Sequence, residues 1–123
     1  MSYNNLGPGI TRDTRAILRY HVADIEEAIM SKTLTDPELQ TALGSLHGWA
    51  KNGIAIERKY EFKDFLEAMK FVNKVADAAE AAGHHPDIQI VYSRVTLQLT
   101  SHDSGGVTHR DIKMAGRLNE IHP

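Results

Sequence analysis

His84 and His85 are adjacent and are followed by Pro86 and Asp87. An imidazole ordinarily titrates at about 6.5, so of two such rings one can be protonated while the other is neutral. That combination suits a reaction that removes a proton from one atom and delivers a proton to another. Gly83 is suited to the left-handed position that closes a helix, and Pro86 cannot continue one and biases His85 toward extended backbone. The pair therefore lies on a short, stiff helix-to-strand connection. Consecutive side chains there point in different directions, so each ring can face a different part of one bound molecule, or one can face a ligand and the other the core. Rings that merely cap helix carbonyls or sit solvated fit the same spacing.

The elements around the pair follow from hydrophobic period. Residues 1–10 are rich in Asn, Gly and Pro and read as a loosely attached leader, and Ile17, Leu18, Val22, Ile25 and Ile29 give a helical pattern from Thr11 to about Ser31. Thr35, Asp36, Pro37 and Glu38 form a capping box with proline in the first turn, opening a short helix that ends near Leu46. Asn52-Gly53 marks a tight hairpin, after which Ile54, Ile56, Tyr60 and Phe62 alternate with polar residues, Arg58 interrupting the apolar face. From Lys63 to Ala82 the period is helical, with Phe65, Leu66, Met69, Val72, Val75, Ala76 and Ala79 as one stripe. Ile88, Ile90 and Tyr92, a turn at Ser93-Arg94, and Val95, Leu97 and Leu99 make a second hairpin. Ser101–Gly106 is a polar loop, and Thr108 with Asp111 caps a last helix with Ile112, Ala115, Leu118 and Ile121 inward. The expected fold is α+β: one two-layer domain over residues 33–123, with a four-stranded antiparallel sheet of two hairpins covered by helices on one face, and an N-terminal helical extension over 1–32. If the third and fourth strands pair, His102 after the fourth returns toward His84 and His85 before the third.

Composition narrows the class. A chain of 123 residues with 41% apolar and 24% charged residues fits one soluble domain. There are no cysteines, which excludes disulfides, thiolate zinc sites and a cysteine nucleophile. A formal charge of −2 gives no general reason to bind nucleic acid, and no apolar run is long enough to span a membrane. The default location is the cytoplasm. Arg12, Arg15 and Arg19 ahead of the first acidic cluster give a faint organelle-targeting character that Asp13 weakens.

Read in order, Glu80, His84, His85, Pro86, Tyr92, His102 and Asp111 stand with three, five, nine and eight residues in the intervals Glu80–His84, Pro86–Tyr92, Tyr92–His102 and His102–Asp111. This pattern resembles the signature of the pterin-4a-carbinolamine dehydratases. Gly48-Trp49, the stretch Tyr60–Phe65, and Ser101–Gly106 followed by Arg110-Asp111 extend the resemblance over about residues 33 to 121. It implies a lyase that dehydrates 4a-hydroxytetrahydrobiopterin to the quinonoid dihydropterin in tetrahydrobiopterin recycling, without metal or organic cofactor. On this analogy His85 is the leading acid/base and His84 and His102 complete the set. Pro86 lies against the pterin, as do Ser101, Asp103 and Ser104 of the polar loop, whose backbone donors suit the ring's carbonyl and nitrogens; Glu80 either contacts the pterin or tunes a histidine, or is a glutamate on the solvated face of its helix that does neither. Trp49 either walls the pocket or belongs to the core. Asp111 either orients His102 or an arginine, or is a helix-capping carboxylate, with the structural role ahead; Tyr92 is read as packing.

The resemblance also implies a homodimer or homotetramer, for which open sheet edges offer a physical route. Members of the family serve too as binding modules, as the dimerisation cofactor of a homeodomain transcription factor or as assembly chaperones. A metal site of His84, His85 and His102 is disfavoured, because adjacent histidines rarely share one tetrahedral ion and no fourth ligand stands at motif spacing. Which pterin side chain is natural, and which histidine is acid, are not readable from sequence.

Overall fold

The computed structural model describes the backbone from residue 14 and side chains from residue 22, so the leader at 1–10 lies outside the described residues. Two compact units are separable, the first ending at Met30 and the second spanning Ser31–Pro123. The first contains helix α1, Thr14–Met30.

In the second unit, α2 (Asp36–Leu43) begins with the expected capping box: Thr35 accepts from the Glu38 amide, and the Glu38 carboxylate accepts from the Thr35 amide. It ends at Leu43, a turn short of Leu46. Strands β1 (Ala50–Asn52), β2 (Ala55–Glu61), β3 (Asp87–Val91) and β4 (Arg94–Leu99) form one antiparallel sheet in the order β1-β2-β4-β3. Both hairpins exist, but each turn is displaced by one residue from the sequence reading. The first loop is Gly53-Ile54, with Asn52 paired to Ala55 and only Gly53 at positive φ (63°). The second is Tyr92-Ser93, with Val91 paired to Arg94. Tyr92 takes the left-handed conformation (φ 55°) and is exposed, so its expected packing role is not found.

Helix α3 (Phe65–Ala82) starts at the cap Asp64, whose carboxylate accepts from the Glu67 amide, and stops at Gly83, which is left-handed (φ 65°) as expected. Its buried stripe is Ala68, Phe71, Val75, Ala78 and Ala79, rotated from the one expected, since Phe65 and Leu66 are exposed. Helix α4 (His109–Ile121) buries Met114, Ala115 and Leu118. Ile56, Tyr60, Val95, Leu97 and Leu99 from the sheet join these helix residues in one core, so the helices do cover one face.

Arg58 interrupts the apolar face of β2 because it is itself buried. Its guanidinium lies over the Tyr60 ring and donates to Asn119 Oδ1 (2.6 Å), to the His122 carbonyl and to an oxygen of Pro123. Gly48 makes room for it: a Cβ there would lie 2.5 Å from Arg58 Nε, and φ is 85°. We expect Gly48→Ala to destabilise the domain by about 2 kcal/mol or more, from left-handed strain plus displacement of a pinned side chain. Chemical denaturation checks it; an unchanged midpoint would mean that Arg58 moves freely.

Candidate active site

Three pieces of chain meet around Asp111: the end of α3 with its connection to β3, the loop after β4, and the first turn of α4. The local sequence fixes each. Gly83 closes α3, and the His84 amide donates to the Ala79 carbonyl (3.3 Å), so the backbone turns out of the helix at the first histidine. Pro86 is buried and anchors the start of β3. The loop begins as Ser101 and Gly106 exchange backbone hydrogen bonds, closing a short 3-10 turn over His102–Ser104.

Asp111 has no exposed surface. Its Oδ2 accepts from the Thr108 amide and the Ser101 hydroxyl, both at 2.9 Å, and its Oδ1 lies 2.5 Å from His84 Nε2. A carboxylate only accepts, so His84 Nε2 carries a proton in this pair and Nδ1 is the nitrogen left for another partner. Since the Ser101 proton goes to Asp111, the Thr108 hydroxyl, 2.9 Å from Ser101 Oγ, donates to Ser101. Thr108 Oγ1 in turn accepts from the Arg110 amide (3.2 Å). Both Asp111 oxygens and the hydroxyls of Ser101 and Thr108 thus have partners. The arrangement satisfies a buried carboxylate that would otherwise be costly.

Asp111 therefore has both of the roles weighed for it. One oxygen caps α4, and the other holds a histidine, which is His84 rather than His102. His84 is half-buried, whereas His85 keeps 59% of its side chain exposed. His85 Nε2 forms a hydrogen bond to the Glu80 carboxylate on the last turn of α3. That pair is open to solvent and exchangeable, unlike the one at His84.

The remaining residues fall into place around these. His102 is exposed on the 3-10 turn, immediately after Ser101. Asp103 accepts two hydrogen bonds from Arg110 (2.9 and 3.2 Å). The arginine holds its carboxyl below the usual range, and the charge of nearby His84 acts in the same direction. Ser104 donates its hydroxyl to the Ser31 carbonyl (2.6 Å). The hydroxyls of Ser101 and Ser104 are thus spent inside the protein. Most loop amides are spent as well: those of Ser101, Ser104, Gly105 and Gly106 bond loop carbonyls. Among the described residues, the His102 amide has no backbone partner, which suits it to a ligand oxygen or nitrogen.

Trp49 is elsewhere. It is buried in the core, and its indole N–H donates to Asn119 Oδ1 (2.9 Å) beside Arg58. The hydroxyl of Thr108 completes the polar chain, whereas its position in the sequence signals only a helix cap. Its hydroxyl pairing with Ser101 has no local sequence signal, because seven residues and a turn separate them. Two concave surfaces lie apart from the histidines, one on the open sheet face around Glu57, Lys59, Glu61 and Arg94, the other between Lys74, Asp77 and Arg117. Both are lined by mixed surface charges, and neither brings acid/base groups together as the histidine connection does, so chemistry favours the latter.

A family model described as pterin 4 alpha carbinolamine dehydratase matches residues 32–121. The chain belongs to the pterin-4-alpha-carbinolamine dehydratase family. The matched span takes in His84, His85, His102 and Asp111 and leaves α1 outside. A Picosynechococcus protein provisionally named as such a dehydratase is 47% identical over 92 residues, covering 75% of this chain and all of that protein. A Thermomicrobium roseum protein with the same provisional name is 51% identical over 88 residues, 72% of this chain and 95% of its own. The crystal structure of a Brucella melitensis transcriptional coactivator/pterin dehydratase superposes with a TM-score of 0.71 at 41% identity, over 75% of this chain and all of that one. A pterin dehydratase-like RuBisCO assembly factor of the alpha-carboxysome shares the fold, with a TM-score of 0.53 at 20% identity over 61% of this chain and 89% of its own.

Proposed function

We propose that the chain is a lyase that eliminates water from a pterin-4a-carbinolamine, with 4a-hydroxytetrahydrobiopterin as the substrate we favour and the quinonoid dihydropterin as product. The observation that carries this reading is the pair of consecutive imidazoles, each with Nε2 on a carboxylate, Asp111 for His84 and Glu80 for His85. In the carbinolamine, a hydroxyl and a ring N–H flank one C–N bond. Elimination breaks the C–O bond, gives the departing oxygen a proton, takes the proton from nitrogen, and leaves a C=N double bond. One proton is taken and one is given, so two imidazoles in opposite protonation states return to balance by exchanging one proton. The reaction changes no oxidation state and needs only proton carriers.

His84 is the fixed ring, presenting Nδ1 because Asp111 holds the other nitrogen. His85 is the adjustable one, since substrate can displace Glu80 from it. The His102 amide offers a donor to the pterin's carbonyl edge, and His102 itself closes the set. A carbinolamine generated by an aromatic amino-acid hydroxylase tests the activity directly. Its decay should quicken when the protein is added, and a folded protein that leaves the rate unchanged overturns the lyase reading.

A second reading, a protein-binding module on the same scaffold, is favoured by one feature. Edge strand β3 is exposed along its length and carries Ile88, Ile90 and Val91. An apolar edge with unpaired backbone groups accepts another strand. We take a second copy as its occupant, making the homodimer or homotetramer, and a different protein there as the alternative.

A further inference from the structure

Arg110 is the second residue of α4 and stands next to Asp111. Its Nη2 donates to both carboxylate oxygens of Asp103 and, at 3.3 Å, to Ser104 Oγ. Asp103 and Ser104 are two residues of the 3-10 turn whose third is His102. Two neighbours in one helical turn therefore grip the two histidine-bearing segments: Asp111 holds the connection at His84, and Arg110 holds the turn at His102. The segments are close, since the charge of His84 reaches Asp103.

The position is a poor one for an arginine. A cation near the start of a helix opposes the helix dipole. The side chain is only 33% exposed, and its Nε is buried with no hydrogen-bond partner among the described residues. A buried donor without a partner costs stability, so its presence calls for another explanation. The ion pair does not supply one, because Asp103 is 69% exposed and such pairs contribute little. What the arrangement supplies is position. The turn has only two backbone bonds of its own, from the Ser104 amide to the Ser101 carbonyl and from the Gly105 amide to the His102 carbonyl. Bonds of that type have poor geometry, and Arg110 ties the turn to a full helix.

We propose that Arg110 is a positioning residue that holds the His102 turn in place relative to His84, and that Asp103 acts through Arg110 rather than on the substrate. The consequence for turnover rests on the lyase reading; the hold on the turn does not. With the turn held, the amide and ring of His102 are ready for the molecule that meets His84. Without Arg110, binding must first order the turn, and that cost appears as weaker binding rather than slower proton transfer.

Arg110→Met in the full chain tests this, because it keeps the buried stem and removes every guanidinium donor. The Ser104 and Gly105 amides should exchange with deuterium at least about tenfold faster than in wild type. The Thr108 amide, held by Asp111, should keep its protection. The denaturation midpoint should not fall, since a partnerless donor and an unfavourable charge leave together. KM for the carbinolamine should rise about 5- to 50-fold, with kcat within about threefold of wild type. Asp103→Ala should reproduce that rise, and Arg110→Met/Asp103→Ala should lie within about twofold of either single variant. Effects that multiply would place Asp103 on the pterin and overturn its role through Arg110. Turn amides that exchange as in wild type would show that the turn holds itself, and the proposal fails. A lower midpoint would make Arg110 a support of the fold and overturn its retention for position. Hydrogen exchange needs no substrate, so it decides the hold on the turn even if wild type leaves the carbinolamine untouched, an outcome that sinks the lyase reading alone.

Discussion

Replacing His85 by alanine is expected to slow dehydration about 100- to 10,000-fold, the usual worth of a positioned acid or base. The prediction is clean because the side chain is 59% exposed and its partner Glu80 is more exposed still. Losing an exposed pair changes stability by no more than about 0.5 kcal/mol, so the variant should fold and unfold like wild type. Initial rates at saturating and limiting carbinolamine separate the two effects of the ring. A loss in kcat marks proton transfer, and a loss confined to KM marks contact with the bound pterin. A loss below about tenfold in kcat/KM would remove His85 from the chemistry and leave the reaction to His84 and His102.

Asp111 should have the largest structural effect of any site residue. Asp111→Ala strands the Ser101 hydroxyl, the Thr108 amide and His84 Nε2 around an empty buried position. The expected cost is about 3–5 kcal/mol, as for removal of one partner from a buried pair. Asp111→Asn separates folding from function. Its carbonyl oxygen can still accept from Thr108 and Ser101, so much of the stability should return. Its amide nitrogen, however, then faces His84 and donates. His84 must accept at Nε2 and carry its proton on Nδ1, the opposite tautomer from the one Asp111 enforces. The Asn variant should therefore be close to wild type in denaturation and impaired by about 100-fold or more in kcat. A ring nitrogen NMR spectrum would show the exchanged tautomer. An Asn variant that keeps full activity would show that Asp111 matters only as a helix cap.

The sequence revealed the fold through the features that have a strict period or a fixed stereochemistry. The capping boxes at Thr35 and Thr108, the stop at Gly83-His84-His85-Pro86 and the two hairpins could be read directly, because each depends on a backbone position that few residue types tolerate. The hairpin turns slipped by one residue for the same kind of reason. Asn52 is a good turn former but pairs with Ala55, and Tyr92 is a poor one yet occupies the left-handed position, since pairing along β2 and β4 sets the register and the turn must comply. In α3 the apolar residues cover more than half the circumference near the start, so periodicity could not say that Ala68 and Phe71, rather than Phe65 and Leu66, face the sheet. At the site, residue types were legible and partners were not. That Asp111 bonds His84, and that Ser101 and Ser104 turn their hydroxyls inward, depends on contacts among segments brought together only by the fold.

The loop that carries His102 is fastened from the far end of the sequence. Leu34 donates its amide to the Val107 carbonyl, Thr33 its hydroxyl to the Ser104 carbonyl, and Ser104 its hydroxyl to the Ser31 carbonyl. These contacts close circuits of about 70 residues, and contacts so distant in sequence form only after the chain between them has condensed. On a ribosome, Ser31 to Leu34 would emerge early and wait for the last third of the protein. The connection after α3 that carries His84 and His85, and the loop after β4 that carries His102, thus take their places only at the close of folding, and a nascent chain still missing that last third leaves Ser31, Thr33 and Leu34 without these partners.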